Sequence, residues 1–120
     1  MQALLLIDHG STYKKANDLL QEVASLIQQK RPDLIVEIAH MELASPTIKE
    51  GISACIQKGA THIIAHPYML SPGRHATTDI PKIIHTEIQH HPGITYAITA
   101  PLGLDPKIAD VILDRMDNTR

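Results

Sequence analysis

The stretch PYMLSPGRHATTDIP, residues 67–81, follows the apolar run THIIAH of residues 61–66 and decides how the chain folds. The run predicts a buried strand, and Asp79-Ile80-Pro81 predicts the start of a helix. The loop between them carries proline, glycine, an arginine and His75. Because open α/β sheets bind their ligands at the carboxyl ends of strands, we interpret this loop as part of a binding site.

An apolar run followed by an amphipathic segment occurs four times along the chain. We predict strands at 3–7, 34–40, 61–66 and 94–99, and helices from a cap at Ser11 or Thr12 to about Arg31, from Ser45 or Thr47 to Gly59, and at 79–91 and 105–116. This βαβαβαβα order predicts a single α/β domain over residues 1–120, with a four-stranded parallel sheet and helices on both faces.

The helical periodicity also predicts which side chains face the sheet. They are Ala16, Leu19, Leu20, Val23, Leu26 and Ile27 in the first helix, Ile48, Ile52, Cys55 and Ile56 in the second, Ile80, Ile83, Ile84 and Ile88 in the third, and Ile108, Val111 and Ile112 in the fourth.

Composition argues against several classes of partner. The net charge is −2, Phe and Trp are absent, and no run of Lys and Arg occurs, so we expect no nucleic-acid partner. No glycine-rich phosphate loop is present, so we expect no nucleotide cofactor. The apolar runs are too short for a membrane helix or a signal peptide, and the single Cys55 suits a reducing compartment. We therefore expect a cytoplasmic protein without a membrane partner.

Three side chains that bind metals follow the first three predicted strands, and eight histidines in 120 residues is a high number. His9, Glu42 and His75 would meet at one edge of a parallel sheet. Two imidazoles and a carboxylate suit zinc, cobalt, nickel or ferrous iron. His40 and His66, at strand ends, either extend this site or pack there, and we favour packing.

Four motifs in one order, spread over nearly the whole chain, resemble a known family. They are HGS at 9–11, ELASP at 42–46, GRH at 73–75 followed by DIP at 79–81, and APLGLDP at 100–106. In these the chain is similar to the class II tetrapyrrole chelatases, and most of all to the short sirohydrochlorin chelatases of the CbiX/SirB type. Thr12 departs from the pattern, since the family often has Arg there, which removes a possible contact with a substrate carboxylate.

The resemblance implies ATP-independent insertion of Co²⁺ or Fe²⁺, with Ni²⁺ a further possibility, into sirohydrochlorin, for cobalamin or siroheme. Cobalt is the metal we favour. It also implies a homodimer, because longer relatives contain two similar halves. By motif position, His9 and His75 would bind metal and remove protons, with Glu42 as the third participant. The tetrapyrrole, which carries eight carboxylates, would contact Ser11, Gly73, Arg74, Thr77 and Thr78.

Two other classes of protein remain compatible with the same residues. Two histidines and a carboxylate also serve zinc hydrolases and non-haem iron oxygenases, although the sequence has no H-E-x-x-H motif. A non-catalytic module that binds or delivers Co²⁺ or Fe²⁺ is the other alternative.

Overall fold

The computed structural model describes residues 1–119 and confirms the predicted parallel sheet with helices on both faces. The strands are β1 (Gln2–Asp8), β2 (Ile35–His40), β3 (His62–Pro67) and β4 (Thr95–Ile98). The helices are α1 (Lys14–Lys30), α2 (Ile48–Gln57), α3 (Ile80–Ile88) and α4 (Pro106–Asp117), with a π-helical turn (His75–Asp79) before α3. All strand pairs are parallel, in the order β2-β1-β3-β4. No helix in this part of the chain is long and apolar enough to cross a bilayer.

The central strand β1 is buried on both of its faces, which explains its uninterrupted apolar sequence. Leu5 and Ile7 point into a large core with α2 and α3, whereas Leu6 packs against Leu20 of α1 on the opposite face. Leu5 is 0% exposed and Leu6 is 2% exposed. The two cores hold the four strands in register, and that register aligns the loops at their carboxyl ends.

The ends of α2 behave as predicted. Thr47 is the N-cap, and its hydroxyl accepts from the Glu50 amide while the Glu50 carboxylate accepts from the Thr47 amide, which completes a capping box. Gly59 follows the helix with a φ of +102°. The start of α1 differs, because neither Ser11 nor Thr12 caps it. The Ser11 hydroxyl instead accepts from the Tyr13 amide at 2.9 Å, and the helix begins at Lys14.

Some side chains predicted to face the sheet do not. Ala16, Leu19 and Leu26 of α1 are exposed, and Ile83 of α3 is 38% exposed. The set of apolar side chains of α1 that pack inward is therefore smaller than the set that the periodicity predicts. The other predicted inward positions of α2 and α3 are buried or half-buried.

The prediction that α4 packs against this sheet is wrong. Val111 is 47% exposed and Ile112 is 63% exposed, and no residue of the helix is buried among residues 1–119. Periodicity reveals that a helix has an apolar face, but it does not reveal which surface covers that face.

Helical structure before Pro81 begins earlier than predicted. The π-helical turn starts at His75, and the amide of Ile80 donates to the carbonyl of His75, five residues back. Pro81 has no amide hydrogen to donate, so the turn before it can widen. As a consequence His75 lies on a helical segment continuous with α3 and not in a free loop.

Candidate metal-binding site

The strand order places the three predicted metal ligands side by side. His9 follows β1 in the middle, Glu42 follows β2 on one side of it, and His75 follows β3 on the other. The carboxyl ends of parallel strands share one edge, so the three side chains emerge together.

Contact distances show that His9 touches both of the others. Its Nε2 lies 2.9 Å from Oε1 of Glu42, and its ring centroid lies 4.8 Å from that of His75, with 62° between the ring planes. The side chains of His9, Glu42 and His75 are 42%, 54% and 48% exposed. The structure therefore brings the predicted residues together at an open surface.

Backbone hydrogen bonds carry the β1–β2 pairing past the ends of both strands. The Met41 amide donates to the Asp8 carbonyl at 2.8 Å, and the Glu42 amide donates to the His9 carbonyl at 3.0 Å. Gly10 allows this close approach, because its φ is +93° and a Cβ there would lie 1.8 Å from the carbonyl oxygen of Glu42.

A hydrogen bond to the neighbouring backbone orients the His9 ring. Nδ1 lies 3.1 Å from the Gly10 carbonyl oxygen. If Nδ1 donates there, the neutral ring carries its lone pair on Nε2, facing the carboxylate of Glu42. Two lone pairs 2.9 Å apart repel unless a cation lies between them. Either a proton or a divalent metal satisfies both atoms.

The carboxylate of Asp79, which the sequence pattern marked only as the start of a helix, orients His75. Nδ1 of His75 lies 2.9 Å from Oδ2 of Asp79, four residues later on the same helical segment. A histidine that donates Nδ1–H to a carboxylate keeps Nε2 free for a metal or a proton. The i, i+4 spacing of His75 and Asp79 is a sequence signal for this contact. It predicts a contact only if both residues lie on one helix, and the sequence pattern placed His75 before the helix.

Within residues 1–119, no group of three His, Cys, Asp or Glu side chains is arranged to hold a metal ion as it stands. Two ligands about 2.1 Å from one metal lie about 3.0 Å apart at the angle of about 90° of octahedral coordination, and about 3.4 Å apart at the tetrahedral angle. The observed 2.9 Å between Nε2 and Oε1 therefore suits a metal that replaces a shared proton, provided that His75 turns toward it.

Two open hollows flank these side chains. One, of about 300 Å³, is lined by Asp8, His9, Gly10, Ser11, Ala16, Asn17, Leu19, Leu20, Tyr68 and Met69. The other, of about 290 Å³, is lined by Met41, Glu42, His75, Asp79, Lys82 and Ile83. Each lies at the lower limit of small-molecule pockets, which span about 300–1,000 Å³. Neither hollow alone encloses a macrocycle.

Comparison with known proteins agrees with this arrangement. The CbiX family model matches residues 3–119. The chain belongs to the CbiX family. A chloroplastic sirohydrochlorin ferrochelatase of Arabidopsis thaliana is 42% identical over 115 residues, which cover 96% of this chain and 51% of the plant protein. A sirohydrochlorin cobaltochelatase of Methanococcus maripaludis is 33% identical over 140 residues, covering 96% of this chain and 97% of the archaeal protein.

A solved structure extends the comparison to three dimensions. SirB from Bacillus subtilis, determined with Fe³⁺, superposes with a TM-score of 0.89 at 32% identity, over 98% of this chain and 46% of that one. This CbiX chain thus spans about half the length of the plant and Bacillus proteins and nearly the whole of the archaeal one. Membership of the family confirms the resemblance drawn from the four motifs.

The residues predicted to contact a tetrapyrrole fall into two groups in this CbiX chain. Ser11 lines the first hollow, although its hydroxyl already accepts from Tyr13. Gly73, Arg74, Thr77 and Thr78 lie exposed beside His75. The Thr77 hydroxyl donates to the Gly73 carbonyl at 2.8 Å, and a Cβ added at Gly73 would meet no other part of the protein within 4 Å. Their contact with substrate stays a prediction.

The two histidines left open by the sequence are both hydrogen-bonded. His40 is buried, and its Nδ1 lies 2.6 Å from Oδ1 of Asp8. Nδ1 of His66 lies 2.7 Å from the Thr99 hydroxyl, and burial lowers the pKa of His66. Both are hydrogen-bonded at the ends of their strands, as the packing interpretation expects, and that interpretation stays a prediction.

Proposed function

We propose that this chain catalyses the ATP-independent insertion of a divalent metal, cobalt first, into sirohydrochlorin. The observation that carries the proposal is the convergence of His9, Glu42 and His75 on one edge of the sheet. The names of the relatives, which are sirohydrochlorin ferrochelatases and cobaltochelatases, support the same reaction.

The proposed chemistry needs an exchangeable metal and two proton acceptors. Inserting M²⁺ into the macrocycle releases two pyrrole N–H protons, and a neutral imidazole is a suitable acceptor near neutral pH. Glu42 and His9 would hold the ion between Oε1 and Nε2, and the half-exposed site leaves the remaining coordination positions to water and to substrate. His75, oriented by Asp79, would present Nε2 to one leaving proton, and Nε2 of His9, freed as the ion passes into the macrocycle, would accept the other.

The carboxylates of sirohydrochlorin need polar contacts around the metal. Arg74 lies next to His75 and is exposed, so its guanidinium can form a paired hydrogen bond with a carboxylate. The backbone amide of Gly73 and the hydroxyls of Ser11 and Thr78 would donate to other carboxylates, and the Thr77 hydroxyl would do so by releasing the Gly73 carbonyl. Arg74→Ala is expected to raise the KM for sirohydrochlorin more than it lowers kcat.

Anaerobic incubation with sirohydrochlorin and Co²⁺, without ATP and followed by absorbance, tests the proposal. We expect His9→Ala and His75→Ala each to reduce the rate about 100-fold or more. His62→Ala is the matched control, because His62 bonds to Thr95 at the start of β3 and β4, at the opposite end of the sheet. Wild-type rates in both site variants would show that the roles are assigned wrongly.

Iron is the second candidate metal. Two imidazoles and a carboxylate accept Fe²⁺, Co²⁺ and Ni²⁺. The relatives include both a sirohydrochlorin ferrochelatase and a sirohydrochlorin cobaltochelatase. Initial rates with each ion in one anaerobic assay rank the three. A module that only delivers metal would bind Co²⁺ in the same experiment without accelerating metallation.

The exposed face of α4 supports a homodimer. Its large apolar side chains, and those of the turn before it, are 47–104% exposed; they are Leu104, Val111, Ile112, Leu113 and Met116. An isolated helix of 12 residues is marginally stable in water, so α4 needs a packing partner. A second copy of the chain would cover this face and add a second wall to the open metal site.

Light scattering across a range of protein concentrations tests the dimer. We expect twice the 13.2 kDa mass of one chain at micromolar concentration. Ile112→Asp should shift the particle toward the monomer. Leu26→Asp is the control, since Leu26 is 59% exposed on the outer side of α1, much as Ile112 is 63% exposed on α4. A wild-type monomer at all concentrations excludes the dimer.

We also propose a cytoplasmic location. The single cysteine, Cys55, is unpaired and buried, which suits a reducing compartment. Fractionation of cells that produce the tagged chain would test this, and recovery in a membrane or exported fraction would contradict it.

A further inference from the structure

A buried histidine–carboxylate pair lies directly behind the candidate metal site. His40 is the one polar or charged side chain that is buried among residues 1–119, at 1% exposure. Its Nδ1 lies 2.6 Å from Oδ1 of Asp8, whose side chain is 20% exposed. Burying an imidazole and a carboxylate is unfavourable unless the two are well paired, so the pair requires an explanation other than filling space.

The position of the pair supplies that explanation. Asp8 and His40 are direct partners in the β1–β2 register and form its last pair. Asp8 immediately precedes His9, and His40 lies two residues before Glu42. The side-chain bond therefore joins the two strands at the point where each one passes into a proposed metal ligand.

Strand β2 depends on this connection because it is an edge strand. In the order β2-β1-β3-β4 it has β1 as its one neighbour in the sheet. The distance between Glu42 and His9 therefore depends on the end of the β1–β2 ladder, while on the outer side of β2 the His40 amide donates to the Pro46 carbonyl at 2.7 Å. Gly10 packs against His40, since a Cβ at Gly10 would lie 3.2 Å from the Cβ of His40.

We propose that His40, held by Asp8, is a positioning residue that sets the spacing between His9 and Glu42. When the bond is absent, the last rungs of the ladder open, and the 2.9 Å contact between His9 and Glu42 is populated less of the time. The expected effect on metal binding rests on the proposed function. The expected effect on the hydrogen bonds at the ends of β1 and β2 is independent of that function.

The experiment compares His40→Leu with His40→Asn. Leucine fills a similar volume without a donor, whereas the asparagine amide can replace Nδ1–H and donate to Asp8. Partners that orient metal ligands typically contribute about 10–100-fold in metal affinity. We therefore expect His40→Leu to weaken Co²⁺ binding, measured by calorimetry, about 10-fold or more, and His40→Asn to retain most of the affinity. Equal losses in the two variants, or no loss in either, would overturn the proposal.

Amide hydrogen exchange supplies a readout that needs no metal. His40→Leu should speed exchange at the amides of Met41 and Glu42, which bond to Asp8 and His9, and leave the core amide of Leu5 unchanged. His40→Asn should restore protection. If wild-type protein binds no Co²⁺, the proposed function fails, but this measurement still tests whether the bond between Asp8 and His40 holds the strand ends together. Unchanged exchange at both amides in His40→Leu would refute that role.

A third variant covers the case in which His40→Leu does not fold. Asp8→Ala removes the other half of the pair from a partly exposed position that lines the first hollow. It should weaken Co²⁺ binding and speed exchange at Met41 and Glu42 to the same extent as His40→Leu. Where both variants fold, their losses should not add in the double variant, because each removes the same bond. Additive losses would contradict a shared role.

Discussion

Oδ2 of Asp79 lies 2.9 Å from Nδ1 of His75, one helical turn away, so the carboxylate orients the imidazole on its own helical segment. Among histidines that bind metals, such a partner fixes the tautomer and makes the other nitrogen more basic. His75 therefore depends on Asp79 in a way that neither residue type reveals in the sequence.

Asp79→Ala is expected to lower the rate of Co²⁺ insertion about 10-fold while the protein stays folded, because alanine is compatible with helix but leaves His75 free to rotate. Metallation kinetics and far-UV circular dichroism of the same preparation measure the two effects. Asp18→Ala is the control, since Asp18 forms an exposed i, i+4 pair with Lys14 on α1. A loss of helix that matches the loss of rate would assign Asp79 to folding alone.

Gly10→Ala is expected to destabilise the fold by at least about 2 kcal/mol, because the new Cβ would lie 1.8 Å from the Glu42 carbonyl oxygen at a φ of +93°. Denaturant unfolding measures the loss. Gly73→Ala is the matched control, since nothing lies within 4 Å of its added Cβ and its φ is not positive, so its free energy of unfolding should change little. Similar losses in both variants would show that the close contact is not the cause.

The fold was largely predictable because each strand here is a short apolar run between turn residues. The continuous run of β1 predicted a strand buried on both faces, and β1 does lie in the middle of the sheet. Parallel pairing then placed His9, Glu42 and His75 at one edge. The strand order itself was not predictable, since any of several right-handed arrangements fits the same pattern.

Features that depend on contacts between distant residues were not predictable. The bond between Asp8 and His40 joins positions 32 apart in sequence, and nothing in either local pattern points to the other. The exposed face of α4 was misassigned for a related reason, because Val111 and Ile112 have the spacing of a core face, but no surface within residues 1–119 covers them.

The capping box of α2 predicts a pH dependence of stability. The backbone amide of Thr47, followed by hydrogen bonds from the side chains of Thr47 and Ser45, lowers the pKa of Glu50 below its usual value of about 4.5. A lowered pKa in the folded state contributes stability above the unfolded pKa, and this contribution is lost as the pH falls through the folded value. The stability should therefore decline on acidification below about pH 4.5.

Glu50→Gln should flatten that part of the pH profile, and Thr47→Ala should lower the free energy of unfolding by about 1 kcal/mol at neutral pH. Urea unfolding across the acidic range measures both. Glu22→Gln, an exposed carboxyl on α1, serves as the control. A profile in Glu50→Gln that still parallels the wild type would place the acid sensitivity elsewhere.

The thiol of Cys55 should not react with thiol reagents in the folded protein. It is 0% exposed, and burial first, then the charge of Glu37, raises the pKa of its thiol to about 12. The thiolate, and not the thiol, attacks a thiol reagent, so native protein should not react at mildly alkaline pH until the chain unfolds. The reaction of native and guanidinium-unfolded samples can be followed by absorbance, with Ser25→Cys in a Cys55→Ser background as an exposed-thiol control on α1. Labelling of native wild-type protein as fast as that control would mean that Cys55 is reachable and does not belong to the core between the sheet and α2.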